Sequence, residues 1–271
     1  MNRIVCFTVF ALLMGFSSCK KNNIESPKPV TDGTLVSFAL VDNSPIQEFS
    51  YTSDNQIYER VESYSYRKYI YNSQHQLEKM ELAISYSPFS CAMPGAGTVR
   101  EGDDPRNAKV TQYFTFEYNA GKLAKKSSFY FTNNNFSLFS YETYLYEKGR
   151  IAKINNYNPA GLLMNYQTYV IDDNGNITHA DSYIVEAGSI DKWIFSDDYE
   201  YDTKNNPYQV LGCEGIPGIN TNKNNITKKT SRSYYLGESK TVIETTYEYN
   251  AYDYPAKSGN INFLYLKPST K

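Results

Sequence analysis

The stretch YLYEKGRIAK (residues 144–153) decides the fold, because imperfect copies of it recur along most of the chain. Each copy has an aromatic residue, one further residue, a Tyr or its substitute, a short polar turn, an aliphatic residue and often a Lys. The copies are YIYNSQHQLEK (69–79), FEYNAGKLAK (116–125), YVIDDNGNIT (169–178), YEYDTKNNPY (199–208) and YEYNAYDYPAK (247–257), with FSYTSDNQIYE (49–59) as a degenerate first member. Their second aromatic or aliphatic positions fall about 25 to 50 residues apart, a spacing typical of stacked repeats.

Each copy predicts a β-hairpin. The two rings of aromatic-x-Tyr project from one face of a strand, because side chains alternate between faces. Asn174-Gly175 predicts a two-residue turn, since both residue types tolerate positive φ, and Ala120-Gly121 and Lys148-Gly149 predict one less decisively. A lone hairpin is marginally stable, so successive hairpins must pair edge to edge. We therefore predict an all-β chain: an antiparallel meander of about twelve strands in one large curved sheet or open half-barrel, with minimal helix.

The N-terminus has the features of a bacterial lipoprotein signal. Arg3 provides a positive charge, residues 4–16 form an apolar core too short to span a bilayer, and Ser17-Ser18 precede Cys19. This arrangement predicts a signal peptide over residues 1–18 and lipid attachment at Cys19, which would anchor the chain to a membrane. The alternative is an ordinary secretory signal with an incidental cysteine.

The remaining chain is expected to form one domain. Residues 19–33 have a polar, Pro-containing composition and predict the lipidated cysteine with a flexible tether. Residues 34–271 are long enough for a single large β-sheet domain that contains all the hairpin repeats.

The repeat resembles the tyrosine–aspartate (YD) repeat of Rhs-type and teneurin shells. Together with the N-terminal signal, the chain is more similar to a group of Bacteroidetes lipoprotein domains of unknown function, whose expected fold is a large curved, porin-like antiparallel sheet. NPYQVLG (206–212), NNIT (224–227) and YEYNAYDYPAKSGNINFLYL (247–266) also carry this resemblance, which covers roughly residues 35–266.

The resemblance implies the fold and an outer-membrane lipoprotein, but no activity. Surface-exported lipoproteins of these bacteria often have an acidic run after the lipidated cysteine, whereas this chain has Lys20-Lys21. A periplasm-facing position and a cell-surface position are therefore both kept as expectations.

Net charge and composition limit the classes of partner that we expect. The chain has 27 Lys and Arg against 29 Asp and Glu, so its formal net charge is −2, and we expect no nucleic-acid partner. The 27 Tyr fit half-buried strands. The repeat also places lysines two residues after the aliphatic position, where they could lie over Tyr rings across strands or discourage edge-to-edge association. These lysines are Lys79, Lys125, Lys153 and Lys257.

Two long segments, residues 87–107 and 211–225, interrupt the meander. Loops of this length tend to be functional or disordered, and we expect them to fold over the concave face of the sheet. They contain Cys91 and Cys213. In an oxidising periplasm this pair predicts a disulfide, and two free thiols are the alternative.

No residue pattern in the sequence predicts a catalytic site, a metal site or a cofactor. His75 in a turn and His179 on a strand lack metal-ligand spacing, and the chain has no zinc-protease, nucleophile-elbow or phosphate-loop motif. The acidic pairs are expected to serve turns and solvated faces, because neighbouring residues on a strand point apart. These pairs are Asp103-Asp104, Asp172-Asp173 and Asp197-Asp198.

Two functions follow as hypotheses. The first is a non-enzymatic outer-membrane lipoprotein that binds or scaffolds a protein or another macromolecule through its Tyr-rich sheet and two long loops. The alternative is a glycan-binding or glycan-acting accessory protein, in which Tyr rings stack on sugars and carboxylates gather at one rim. The carboxylates of that rim would be Asp103, Asp104, Asp197 and Asp198.

Overall fold

The computed structural model describes residues 33–84, 104–186, 191–234 and 237–267, in which seventeen antiparallel strands form one sheet. Strands β1 to β9 are Leu35–Val41, Ser44–Tyr51, Ile57–Glu62, Ser65–Tyr71, Leu77–Ile84, Val110–Asn119, Lys122–Thr132, Asn135–Glu147 and Arg150–Tyr157. Strands β10 to β17 are Leu163–Ile171, Ile177–Ile184, Lys192–Asn205, Asn224–Ser233, Ser239–Glu244, Tyr247–Tyr249, Pro255–Ser258 and Ile261–Leu266. Two 3-10 helices, η1 and η2, are Pro105–Asn107 and Pro207–Glu214.

The strands follow a meander. From β1 to β14, each strand pairs with the next one in the chain. The last three strands, β15 to β17, form a second run that returns to pair with β1. β14 pairs with β13 and β15 pairs with β16, and within the described ranges no ladder joins β14 to β15, so the sheet is open there. The all-β prediction is confirmed, with seventeen strands rather than about twelve. No helix in the described ranges is long and apolar enough to cross a membrane.

One kind of turn has two central residues, both at positive φ. This geometry matches the twist of the flanking strands, so it favours Gly, Asn and Asp. Within the described ranges, the turns of this kind are Asp42-Asn43, Ala120-Gly121, Asn133-Asn134 and Lys148-Gly149. Two of them, Asp42-Asn43 and Asn133-Asn134, lie outside the repeat, which is one reason why the repeat underestimates the number of strands.

The second kind of turn has five residues. The backbone N–H of the first residue donates to the carbonyl of the fifth residue. The side chain of the first residue accepts from the backbone N–H of the fifth residue. These turns begin at Thr52, Asn72, Asn158, Asp172 and Asn250. The prediction of a two-residue turn at Asn174-Gly175 is therefore wrong: of these two residues only Gly175 has a positive φ (100°), and the Asp172 carboxylate caps a longer turn.

The second tyrosine of the repeat connects neighbouring hairpins. Its hydroxyl donates to the carbonyl of the aliphatic residue that opens the return strand of an adjacent hairpin, as Tyr71 does to Ile57 (2.8 Å) and Tyr146 to Leu123 (2.9 Å). Tyr201 makes the equivalent bond to Ile177, and Tyr51 bonds the Val36 carbonyl of β1. The copy at 247–257 differs, because its first tyrosine, Tyr247, bonds the Ile226 carbonyl and its second, Tyr249, bonds the Asp202 carboxylate. A phenylalanine would leave this carbonyl without its partner, so the bond explains why the repeat uses Tyr. Ile171 occupies the same position of the repeat and has no hydroxyl.

Residues 206–223, which connect β12 to β13 and include η2, pack against one face of the sheet; we call them the plug and this face the inner face. Leu211 of the plug is 2% exposed and lies in one buried cluster with Phe49 of β2, Tyr69 of β4 and Phe263 of β17. The prediction that residues 211–225 fold over the sheet is confirmed. They are not a loop without structure of its own, because η2 and its hydrogen bonds order them.

The plug shows that the sheet is strongly curved. Tyr208 Oη donates to Gln47 Oε1 of β2 (3.0 Å), whereas Asn222 Oδ1 accepts from the Ile177 N–H of β11 (2.9 Å). In a flat sheet β2 and β11 would lie about 43 Å apart at about 4.8 Å per strand. Within the plug, Gln209 Nε2 donates to the Asn222 carbonyl (2.9 Å), so the two attachment residues, Tyr208 and Asn222, lie close together. The sheet must therefore curl around the plug.

Candidate functional site

A row of polar side chains crosses the inner face from β7 to β10. Lys126, Glu142, Asn156 and Asn165 occupy successive facing positions, so their side chains share one face. Lys126 is 7% exposed, and its Nζ lies 3.1 Å from Glu142 Oε2. The same oxygen accepts a hydrogen bond from the Tyr144 hydroxyl (2.7 Å). The buried lysine charge is therefore compensated within the sheet.

In the part of the chain that the structure describes, two cavities lie between this half of the sheet and the plug. The larger, of about 330 Å³, is bounded by the ends of β8 to β11, and the smaller, of about 210 Å³, by the polar row. Pro217 of the plug lines both cavities. The plug thus packs closely against β2, β4 and β17 but leaves a cleft toward β7 to β11.

The larger cavity lies where the repeat loses its tyrosine. Tyr146 and Tyr201, in the copies on either side, both bond a neighbouring carbonyl through the phenol. Ile171 is shorter than a phenol, so space is left between it, Ile151 and Ile177. The loss of tyrosine at residue 171 was visible in the sequence, although its consequence for the interior was not.

Arg150 lines the larger cavity and is itself exposed. Within the described part of the chain its guanidinium makes no ion pair and no side-chain hydrogen bond. It lies over Gly175, where an added Cβ would be 1.9 Å from Nη1 and 2.7 Å from Cζ. Gly175 therefore supplies the positive φ of its turn and also the space that the guanidinium occupies. No local signal in the sequence marks Arg150.

Stacked aromatic pairs cross neighbouring strands on the opposite, outer face. The pairs are Tyr113–Phe129, Tyr141–Tyr157 and Tyr166–Tyr183, with ring centroids 4.6, 5.0 and 4.7 Å apart. A lysine ammonium lies over the first ring of each pair: Lys79 at 4.7 Å, Lys125 at 5.1 Å and Lys153 at 3.7 Å. Since a partner ring covers one face and a lysine the other, these first rings have no free face on which a sugar could stack. Their contacts instead stabilise the sheet.

The lysine–ring contact, one of the two alternatives for these lysines, is thus present at three of the four positions. Among the described residues no aromatic ring lies under Lys257, whose Nζ lies 3.6 Å from Glu248 Oε1 on the neighbouring strand.

The described carboxylates of the glycan alternative do not gather at one rim. Asp197 and Asp198 are adjacent on β12 and point to opposite faces, and Asp197 Oδ1 accepts from Ser231 Oγ (2.6 Å). Asp104 is the N-cap of η1, which packs beside β3 to β5. Asp103 lies outside the described residues.

His179 bridges two acidic side chains on the outer face, with Nδ1 2.7 Å from Asp198 and Nε2 3.1 Å from Asp181. Burial lowers the pKa of its imidazole, but the hydrogen bonds to Asp198 and Asp181 outweigh that effect, so the pKa is raised above 6.5. Stabilisation from this group is therefore full below the unfolded-state pKa and lost as pH rises through the folded-state pKa.

We expect His179→Gln to lower the melting temperature at about pH 5.5 by roughly 1–2 °C more than at about pH 8.5. Thermal unfolding followed by circular dichroism at both pH values measures this difference. The exposed His75 is the matched control, because its contact with an acidic side chain is longer, with 3.9 Å between Nδ1 and Asp54 Oδ2. An equal loss at both pH values for His179→Gln would contradict the assignment.

Cys213 lies against the inner face, where burial raises the pKa of its thiol to about 12. Its Sγ lies 3.8 Å from the Tyr71 hydroxyl. Cys91 lies outside the described residues, so the Cys91–Cys213 disulfide stays a prediction. Among the residues that the structure describes, no group of three or more His, Cys, Asp and Glu side chains could hold a metal ion.

Comparison with known proteins identifies a solved structure with a similar fold. No family model and no curated protein matches the chain. A porin-like protein from Bacteroides vulgatus ATCC 8482 matches 88% of this chain and 100% of its own, at 10% identity and a TM-score of 0.51. The two chains share a fold. The porin-like curved sheet expected from the repeat is therefore supported at the level of architecture.

Two further solved structures are less similar. A porin-like protein from Bacteroides uniformis ATCC 8492 covers 78% of this chain and 86% of its own, at 13% identity and a TM-score of 0.36. The Photorhabdus luminescens Tc holotoxin pore covers 74% of this chain, which corresponds to 10% of the toxin chain, at 11% identity and a TM-score of 0.31.

Proposed function

We propose that the chain is a non-enzymatic outer-membrane lipoprotein that binds another molecule in the cleft between its curved sheet and its plug. The cleft is the observation that carries the proposal. Protein interiors are normally filled to high density, and ligand sites are the common exception. Here the plug fills the space toward β2 to β4 and leaves cavities of about 330 and 210 Å³ toward β7 to β11.

The state of the charged groups supports binding rather than catalysis. Lys126 and Glu142, the charged residues of the polar row, are already paired with each other, and Glu142 also accepts from Tyr144. Such a network fixes the wall of a site without leaving a group poised to transfer a proton.

A photo-crosslinking amino acid in the cleft tests the proposal. Ile216 is 44% exposed and lines the smaller cavity, whereas Val242 of β14 is 45% exposed and serves as the matched control. We expect adducts, detected as a mass increase of the protein isolated from cells, at position 216 and none at position 242. Adducts at position 242 alone would show that the partner binds elsewhere.

The lipid anchor is tested separately. We expect Cys19→Ser to lose fatty-acid labelling and to leave the membrane fraction, while Cys6→Ser in the same N-terminal segment retains both. Retention of the label by Cys19→Ser would contradict anchoring through this residue. Proteinase treatment of intact and lysed cells then distinguishes a cell-surface position from a periplasm-facing one.

A further inference from the structure

We infer that the larger cavity binds a small organic carboxylate with an apolar body. The inference rests on the proposed function, because it names the class of molecule that would occupy the cleft. It is drawn from the walls of the cavity, from the single cation beside it and from the position where the repeat departs from its own pattern.

The walls of the cavity predict an apolar ligand body. Ile151, Ile171 and Ile177 come from three successive strands, and Pro217 of the plug closes the opposite side. A volume of about 330 Å³ lies at the lower end of the range of ligand pockets, about 300–1,000 Å³. A compact aliphatic chain or a single aromatic ring fits walls of this kind, because contact with them removes apolar surface from water.

Arg150 predicts the charge of the ligand. Its guanidinium has no carboxylate partner among the described residues and is held over Gly175. The nearby Asp172 is committed to its turn, since its Oδ1 accepts from the Gly175 N–H (2.7 Å) and the Asn176 N–H (2.8 Å). A guanidinium presents parallel N–H donors that match the two oxygens of a carboxylate. A bound carboxylate would therefore supply the partner that the protein does not.

The same groups make other ligands less suitable. Of the residues that the structure describes, Arg150 is the one cation that lines this cavity, and a phosphate dianion is commonly held by several charged donors. A sugar needs many hydrogen-bonding groups, but the Thr221 hydroxyl of the plug is already bonded to the Gly218 N–H (3.1 Å). The three isoleucines offer no polar contact.

The test is isothermal titration calorimetry on the whole mature chain carrying Cys19→Ser, which avoids detergent that would compete for an apolar cavity. The probes are phenylacetate and hexanoate, with their uncharged amides as matched compounds and glucose as a neutral sugar. We expect both carboxylates to bind, and their amides to bind at least about tenfold more weakly because they lose the charge-assisted bonds to Arg150.

Two variants locate the site. Arg150→Gln is expected to weaken carboxylate binding at least about tenfold, whereas Arg232→Gln, on the outer face, leaves it unchanged. Ile171→Tyr restores the tyrosine of the repeat, fills the cavity and abolishes binding, with a melting temperature at or above that of the parent chain. Because Arg150 is exposed, Arg150→Gln reports on binding even if the Ile171 variant folds poorly.

The inference would be overturned by equal binding of acids and amides, by unchanged binding to Arg150→Gln, or by binding of glucose alone. A lack of any heat with the carboxylates would also overturn it. If position 216 still forms adducts in cells, only the ligand class is wrong. If position 216 forms none, the proposed binding function fails as well.

Discussion

Glu214→Ala is expected to destabilise the fold by about 3–5 kcal/mol, as removal of one partner from a buried ion pair does elsewhere. The Glu214 side chain is 2% exposed, accepts a hydrogen bond from the Tyr69 hydroxyl (2.5 Å), and lies 3.4 Å from Arg60 Nη1. Its removal leaves the Arg60 charge and the Tyr69 hydroxyl in the interior without this carboxylate. The plug would then have lost its polar attachment to β3 and β4.

Urea denaturation followed by circular dichroism measures the change in the free energy of unfolding. Glu78→Ala, at an exposed position of β5, is the matched control and is expected to change it by less than about 0.5 kcal/mol. Combining Arg60→Met with Glu214→Met should recover part of the loss, because no charge is then buried alone. A loss below about 1 kcal/mol for Glu214→Ala would show that the plug is not held by this pair.

Leu211→Ala is expected to destabilise the fold by about 2–5 kcal/mol. Leu211 is the plug's contribution to the buried cluster around Phe49 and Phe263, so truncation removes apolar contacts and leaves a cavity. Ile219→Ala is the control on the same segment: Ile219 is 52% exposed and its truncation should cost less than about 0.5 kcal/mol. Equal losses for the two variants would mean that the sheet is stable without the plug's apolar anchor.

The sheet was predictable because its determinants are local. The alternating side chains and the turn residues of a hairpin lie within about a dozen residues of each other in sequence. The turns at Ala120-Gly121 and Lys148-Gly149 follow directly from this local pattern. The Asn174-Gly175 turn was predicted with the wrong length, because the Asp172 carboxylate competes for the backbone N–H groups that a two-residue turn would leave free. The number of strands was underestimated where hairpins lack the repeat, as at Asp42-Asn43.

The site was less predictable because its parts meet only in the folded chain. Tyr69 and Glu214 are 145 residues apart in sequence, and no local pattern relates them. Ile171 did stand out as a copy without tyrosine, but the space it leaves depends on Pro217 of the plug. Asp197 and Asp198, in contrast, point to opposite faces of β12, as their adjacency on a strand predicts.

The pairing of β1 with β17 has a consequence for biogenesis. Leu35 lies opposite Leu266, so the first strand gains its second neighbour only when the last one is available. Because synthesis starts at the N-terminus, almost the whole chain must therefore be available before the sheet can be finished. Leu211, which completes the core, also emerges late. Until then the early hairpins present unpaired strand edges, which can pair with other chains.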